Sequence, residues 1–154
     1  MTGGPSPPPS LADHPFFRGF PGAFLSEVSA RARTLELSAG AYLVREGELA
    51  EAFYLILEGK VALEVAAPDL PHRTIQTIGP GEVLGWSWLI PPNRWRLDAR
   101  VVKSTRAWAL DARVLRAALE AHPEDGYRFL LRLLPIIAQR LENTRLQLLD
   151  LHGH

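Results

Sequence analysis

Between Thr34 and Leu110 the apolar positions fall in short runs, some alternating with polar residues and some nearly continuous: TLEL, AYLV, FYLILEG, KVALEVA, RTIQTI, EVLGW, LDARVV and RAWAL. Turn-forming residues separate the runs, at Ser38-Ala39-Gly40, Glu46-Gly47, Glu58-Gly59, residues 68–71, Gly79-Pro80-Gly81 and Pro91-Pro92-Asn93. Eight short strands at roughly 8- to 12-residue spacing predict an antiparallel sandwich or barrel over 34–110. Gly40, Gly47 and Gly59 occupy places where a tight turn needs a positive φ.

On either side of this region the pattern turns helical. The segment LADHPFFRGFPGAFLSEVSARA carries an apolar face of Phe16, Phe17, Phe20, Phe24, Leu25 and Val28, with Pro15 and Pro21 at turn starts. Asp111 is a good N-cap for a helix over 111–122. Pro123 opens a longer helix over 124–151, with Glu124 and Asp125 in the first turn, where the helix dipole favours negative charge. At the α-helical rise it extends about 40 Å, more than a barrel of this size can cover. Tyr127, Leu130, Leu134, Ile137, Leu141, Thr144, Leu148 and Leu151 follow one another at spacings of 3 and 4, an a/d seam with one polar position. A second line, Phe129, Leu133 and Ile136, is left to face the barrel. Two separate stripes predict a homodimer through Leu130, Leu134, Ile137, Leu141 and Leu148; the alternative is that both stripes widen one core face. Pro135 removes the hydrogen bond to the Leu131 carbonyl and predicts a kink.

Composition narrows the chemistry. The 154 residues suit one domain, assigned to 11–154, after a Pro-rich segment 1–10 expected to be disordered or, alternatively, a docking ligand. Lys plus Arg and Asp plus Glu number 17 each, a balance that counts against nucleic acid as a main partner. Without cysteine there are no disulfides, thiolate metal sites or thiol nucleophiles. The histidines, His14, His72, His122, His152 and His154, lie scattered without metal-ligand spacing. Ser87 has no His near in sequence to act as a base, so no catalytic residue and no enzyme is expected. The N-terminus lacks a signal-peptide pattern and no apolar run reaches the ~20 residues of a membrane span, which predicts a cytoplasmic protein without membrane contact.

The order of N-terminal helices, barrel, short helix and long pairing helix resembles the cyclic nucleotide-binding domain of Crp/Fnr (catabolite-activator-type) regulators. The stretch LSAGAYLVREGELAEAFYLILEGKVAL is similar to the family's early strands with their turning glycines, and IGPGEVLGW looks like the lead-in to its phosphate-binding cassette. The resemblance spans Leu11 to Leu151 and implies an α+β fold: an eight-stranded antiparallel β-roll (a jelly roll, or double-stranded β-helix) with N-terminal helices and a long C-terminal dimerisation helix. It also implies a regulatory module whose ligand is a cyclic nucleotide, cAMP or cGMP.

The same resemblance marks the candidate ligand residues Gly85, Trp86, Ser87, Arg96, Leu97 and Thr144. In the family a Gly-Glu pair opens a short helix and the Glu accepts the ribose 2′-hydroxyl; further on, an Arg followed by Ser/Thr-Ala grips the cyclic phosphate. Here Gly85 is kept but Trp86 takes the place of the Glu, and Arg96 is followed by Leu97 and Asp98. An indole can donate a hydrogen bond but not accept the ribose hydroxyl. Leu97 lacks the hydroxyl, and Asp98, if it shares a strand face with Arg96, neutralises it and repels an anion. Thr144 matches the position on the dimer helix that contacts the purine, or is simply a polar register residue.

Trp86, Trp88, Trp95 and Trp108 fall within 23 residues and are interleaved with Arg94, Arg96 and Arg100. Two readings stand: a remodelled pocket that stacks a flat ligand, or tryptophans that fill the old nucleotide cavity. The family reads DNA through a winged helix-turn-helix beyond the dimer helix. Three residues follow Leu151 in this sequence, so the expectation is a sensor without direct DNA binding that acts on an unidentified protein partner.

Overall fold

The structure, a computed structural model, describes residues 10–67 and 70–152. Most of the segment expected to be disordered, residues 1–9, lies outside the described residues, as does the side chain of Leu151. Ser10 is described: its Oγ accepts from Ala12 N at 3.2 Å and caps a 3-10 turn, Leu11–Asp13. Helix α1 (Gly22–Val28) follows. The strands are β1 (Arg33–Leu37), β2 (Tyr42–Val44), β3 (Ala52–Ala67), β4 (Leu70–Ile78), β5 (Val83–Leu84) and β6 (Asp98–Asp111). Helices α2 (Ala112–Ala121) and α3 (Pro123–His152) close the chain.

Among the described residues six strands stand where eight were expected, and the difference arises at two bends. β3 contains both FYLILEG and KVALEVA, and β6 contains RAWAL and all of LDARVV but its Leu97. Their mutual pairing shifts register between Ile56 and Glu58, Glu58 and Lys60, and Lys60 and Val61, so bulges bend the pair without ending it. Gly59 makes the crossing feasible: its φ is +102°, and a Cβ there would lie 2.5 Å from the Ser104 carbonyl oxygen. Thr105 pins the bend, its Oγ1 accepting from Lys60 N at 3.2 Å and donating to the Lys103 carbonyl at 2.7 Å.

The bent pair carries two antiparallel leaves. In one, β1 pairs with residues 105–109 of β6, which pair with the first half of β3, and β5 joins β3 at Tyr54 and Leu55. In the other, β2 pairs with residues 99–100 of β6, which pair with the second half of β3, and β4 lies on the far side of β3. This is the roll the sequence led one to expect, with eight runs in place and two pairs of them continuous. Val61 opposite Val101 and Leu63 opposite Ala99 are fully buried in the core. At the helical end Phe16 packs edge-on to Phe17, Phe53 and Phe129 with centroids 5.1–5.2 Å apart, joining the N-terminal turn, β3 and α3.

Asp111 caps α2 as expected, its Oδ1 accepting from Arg113 N at 2.8 Å and Val114 N at 3.1 Å. Helix α3 runs without interruption through Pro135. Its two apolar stripes part company. Phe129 and Leu133 are buried and Ile136 packs on the core, whereas Leu130, Leu134, Leu141 and Leu148 are 42%, 56%, 70% and 48% exposed. Ile137 is half-buried and touches the core from the edge of the exposed stripe. The stripes therefore do not merge into one core face.

Candidate functional site

The site begins where β5 ends. Gly85 adopts φ +104°, and a Cβ at this position would lie 2.5 Å from Cζ3 of Trp95, so the indole lies directly on the glycine. Trp95 is buried and faces Tyr54 with ring centroids 5.9 Å apart. Trp88 closes the other side: it is fully buried against Phe53 and its Nε1 donates to the Gly85 carbonyl at 2.9 Å. Arg116 of α2 donates to the Trp88 carbonyl at 2.5 Å, which ties the short turn after Gly85 to the helical layer. Ser87 is buried, and its carbonyl accepts from Asn93 Nδ2 at 3.0 Å.

The approach to β6 is held by the turn after β2. Trp95 N donates to the Glu48 carbonyl at 2.9 Å, Gly47 N to the Trp95 carbonyl at 2.8 Å and Ala50 N to the Asn93 carbonyl at 2.7 Å. Arg94 adds a bond from Nη1 to the Gly47 carbonyl at 2.8 Å. This zipper fixes Trp95 over Gly85. It leaves Arg96 exposed, with no hydrogen bond or ion pair to any described residue. Leu97 is half-buried against the core.

One sequence expectation fails here. Asp98 does not neutralise Arg96, because β6 starts at Asp98 and the alternation of strand faces does not extend back to Arg96. Asp98 turns inward instead and is buried. Its Oδ1 accepts from Glu46 N at 2.8 Å and its Oδ2 lies 3.5 Å from His72 Nδ1. Beside it, Arg100 donates through Nε and Nη2 to Glu64 Oε2, at 3.1 and 2.9 Å.

The residue that sequence reasoning missed is Arg140. It is only 3% exposed, and its guanidinium carbon lies 5.5 Å from the Trp86 ring centre. Its Nη2 donates to the Val83 carbonyl, while Nε and Nη1 are buried without a partner. Burial pushes its pKa down to about 10, against the smaller opposing effect of Glu82. A signal was available: the barrel-facing line Phe129, Leu133, Ile136 continues at the same spacing to residue 140. Thr144 Oγ1 donates to the Arg140 carbonyl at 2.9 Å. Of the six candidate residues, Gly85, Trp86 and Ser87 are adjacent in sequence, Thr144 is linked to Trp86 through Arg140, and Arg96 and Leu97 make no hydrogen bond or ion pair with the other four.

Among the described residues no helix is long and apolar enough to cross a membrane, and no cluster of three or more His, Asp and Glu could hold a metal ion. The chain is 26% identical over 141 residues to the CRP-like cAMP-activated global transcriptional regulator of Mycobacterium tuberculosis, covering 92% of this chain and 61% of that protein. The chain thus spans about three-fifths of the length of the curated relative it matches. The catabolite activator protein of Thermus thermophilus is 26% identical and superposes with a TM-score of 0.68 over 90% of this chain and 63% of its own. The sensor domain of the regulator DNR from Pseudomonas aeruginosa, 20% identical, shares the fold with a TM-score of 0.71 over 86% of this chain and 89% of its own. Residues 34–122, from the start of the roll to the end of α2, match the family described as the cyclic nucleotide-binding domain. The glycine-turned roll, the cassette position after β5 and the long helix beside it are thus accounted for together: the chain belongs to the cyclic nucleotide-binding domain family, in its Crp/Fnr form.

Proposed function

We propose that this chain is a non-enzymatic, cyclic nucleotide-binding-like sensor module whose cassette is altered so that ordinary cAMP binds poorly, and which signals through protein contacts as a homodimer. The observation that carries this reading is the packing of Trp95 on Gly85. A sugar phosphate needs open space beside that glycine, and an indole held by backbone bonds on both sides of it occupies the glycine's free face.

The polar groups agree with this. Trp86 offers no acceptor to a ribose hydroxyl, and its ring is taken up by Arg140. Asp98 brings a buried carboxylate next to the residues where the family holds a phosphate. Arg96 is free but exposed, where solvent screens its attraction for an anion. The exposed stripe of Leu130, Leu134, Leu141 and Leu148 is large enough to require cover, and a second α3 supplies a/d packing for it. Movement of α3 against the roll, through the Arg140–Trp86 contact, is then the output that a protein partner reads.

Titration calorimetry with cAMP and cGMP tests the reading. Weak or absent heat with an intact dimer supports it; tight saturable binding of cAMP that is lost in Arg96→Ala overturns it. The second reading, a structural dimer with a filled cavity and no ligand at all, is favoured by the same Trp95 contact. It is distinguished by a partner-binding surface that no small molecule changes.

A further inference from the structure

On the flank of α3 away from Thr144 the chain forms a groove of about 580 Å³. Leu131, Pro135 and Gln139, four residues apart, line it from the helix, whereas Ile137 and Thr144, seven apart, follow the other flank. Phe16 and Val83 supply the opposite wall, and Arg140 forms part of the floor between them. The groove is thus separate from the contact of Trp95 on Gly85, and its lining is mainly apolar.

Among the described residues Arg140 has no ion-pair partner. Arg100 has Glu64 at 2.9 Å and Arg106 has Glu58 at 3.1 Å, but Arg140, far more buried than either, has one neutral carbonyl acceptor and two nitrogens without partners. A buried guanidinium whose donors no described residue fills favours an anion brought beside it. The nearby carboxylate does not supply it: Glu82 is exposed at the groove's edge and its Oε2 accepts from Gly79 N at 2.7 Å. Arg132 is also committed, donating to the Phe16 carbonyl at 2.6 Å with its guanidinium over the Phe20 ring.

We propose that this groove binds a small monocarboxylic acid, with its carboxylate on Arg140 and its hydrocarbon body against Phe16, Val83, Leu131 and Pro135. The apolar walls select a hydrocarbon body, and the Glu82 carboxylate at the edge disfavours the higher charge of a phosphate. Because Nε and Nη1 are closed to solvent, the guanidinium must turn toward the groove to meet the acid. That turn loosens its stack on Trp86, so an occupied groove is felt at the cassette.

The test titrates sodium octanoate into the full chain and follows the Arg140 Nε–H resonance, identified by its loss in Arg140→Lys, together with tryptophan emission. Octan-1-ol and cAMP are titrated in parallel. Octanoate is expected to saturate and to move the Arg140 resonance, with octanol at least tenfold weaker. Arg140→Met is expected to weaken octanoate at least tenfold while leaving octanol unchanged. Three results overturn the proposal: an Arg140 resonance unmoved up to about 10 mM octanoate, where binding is too weak to matter; octanol binding as well as octanoate; or full octanoate affinity in Arg140→Met. If Arg140→Met fails to fold, the octanoate-to-octanol ratio on the unaltered chain decides alone. The cAMP titration judges the altered cassette separately, and neither of its outcomes changes the octanoate result.

Discussion

Replacing Leu141 with Glu puts a charge at the most exposed leucine of the proposed pairing seam. Leu141 is 70% exposed in the single chain. Burying a whole leucine side chain stabilises by about 1.5–3 kcal/mol, so the part left for a partner to cover corresponds to about 1–2 kcal/mol. A symmetric pair loses this twice, about 2–4 kcal/mol, before any repulsion between the two carboxylates is added. Dimer dissociation should therefore rise roughly 30- to 700-fold. The roll itself should be untouched, because Leu141 is absent from the core while Phe129 and Leu133 remain in it. Sedimentation equilibrium over a concentration series reads the constant directly, and circular dichroism checks the fold. A chain that is monomeric at about 10 µM before any substitution, where even an association of about 7 kcal/mol is still half formed, refutes the seam. So does a Leu141→Glu chain that dimerises as well as the unaltered one.

Three further outcomes follow from the structure. Gly59→Ala should cost about 3 kcal/mol, combining left-handed strain with overlap on the Ser104 backbone. Gly40→Ala, at φ +94° with nothing within 4 Å of the added Cβ, should cost only the strain, and equal melting temperatures for the two would remove the role given to the bend. The triple change Trp86→Glu, Trp95→Ala and Leu97→Ser clears the face of Gly85 and returns an acceptor and a hydroxyl to the cassette; it should raise cAMP affinity at least tenfold by calorimetry, whereas Trp86→Glu with Leu97→Ser alone, which leaves Trp95 on Gly85, should not. His14 is buried, with Nε2 3.2 Å from the Ile56 carbonyl and Nδ1 accepting from Phe16 N at 3.2 Å, and burial lowers its pKa below 6.5. The folded state therefore binds this proton less readily than the unfolded state. Its stabilising contribution is complete above pH 6.5 and is lost as the pH falls from there toward the folded value. Thermal melts between pH 8 and 5 should show that decline, and His14→Gln should flatten it.

Much of the fold could be read from the residues because its determinants are local. The glycines at 40, 47 and 59 all have positive φ, and the strand-forming runs fall where hydrophobic pattern and turn chemistry agree. The number of strands could not be read in the same way. Gly59 looks like the end of a strand, yet it is a crossing point inside one, and only the ladder between β3 and β6 tells the two cases apart. Face alternation misled at Arg96 because it applies only once the strand has begun, and β6 begins two residues later. The cluster of tryptophans was visible in the sequence, but not that Trp95 covers Gly85, since that contact depends on the zipper between residues 47–50 and 93–95. Arg140 was legible in principle. A charged residue on a barrel-facing line has to be buried or break the line, and here it is buried.

Both leaves hang on the same two long strands, with no loop between one leaf and the other along either strand. A container built in this way cannot open like a clamshell, because parting the leaves means tearing the ladder that makes each of them. Whatever message such a module passes on has to be written by the parts that rest against the shell, and a screen for signalling-dead variants should find them on the helix and the short turns that touch it rather than at the fold line of the sheet.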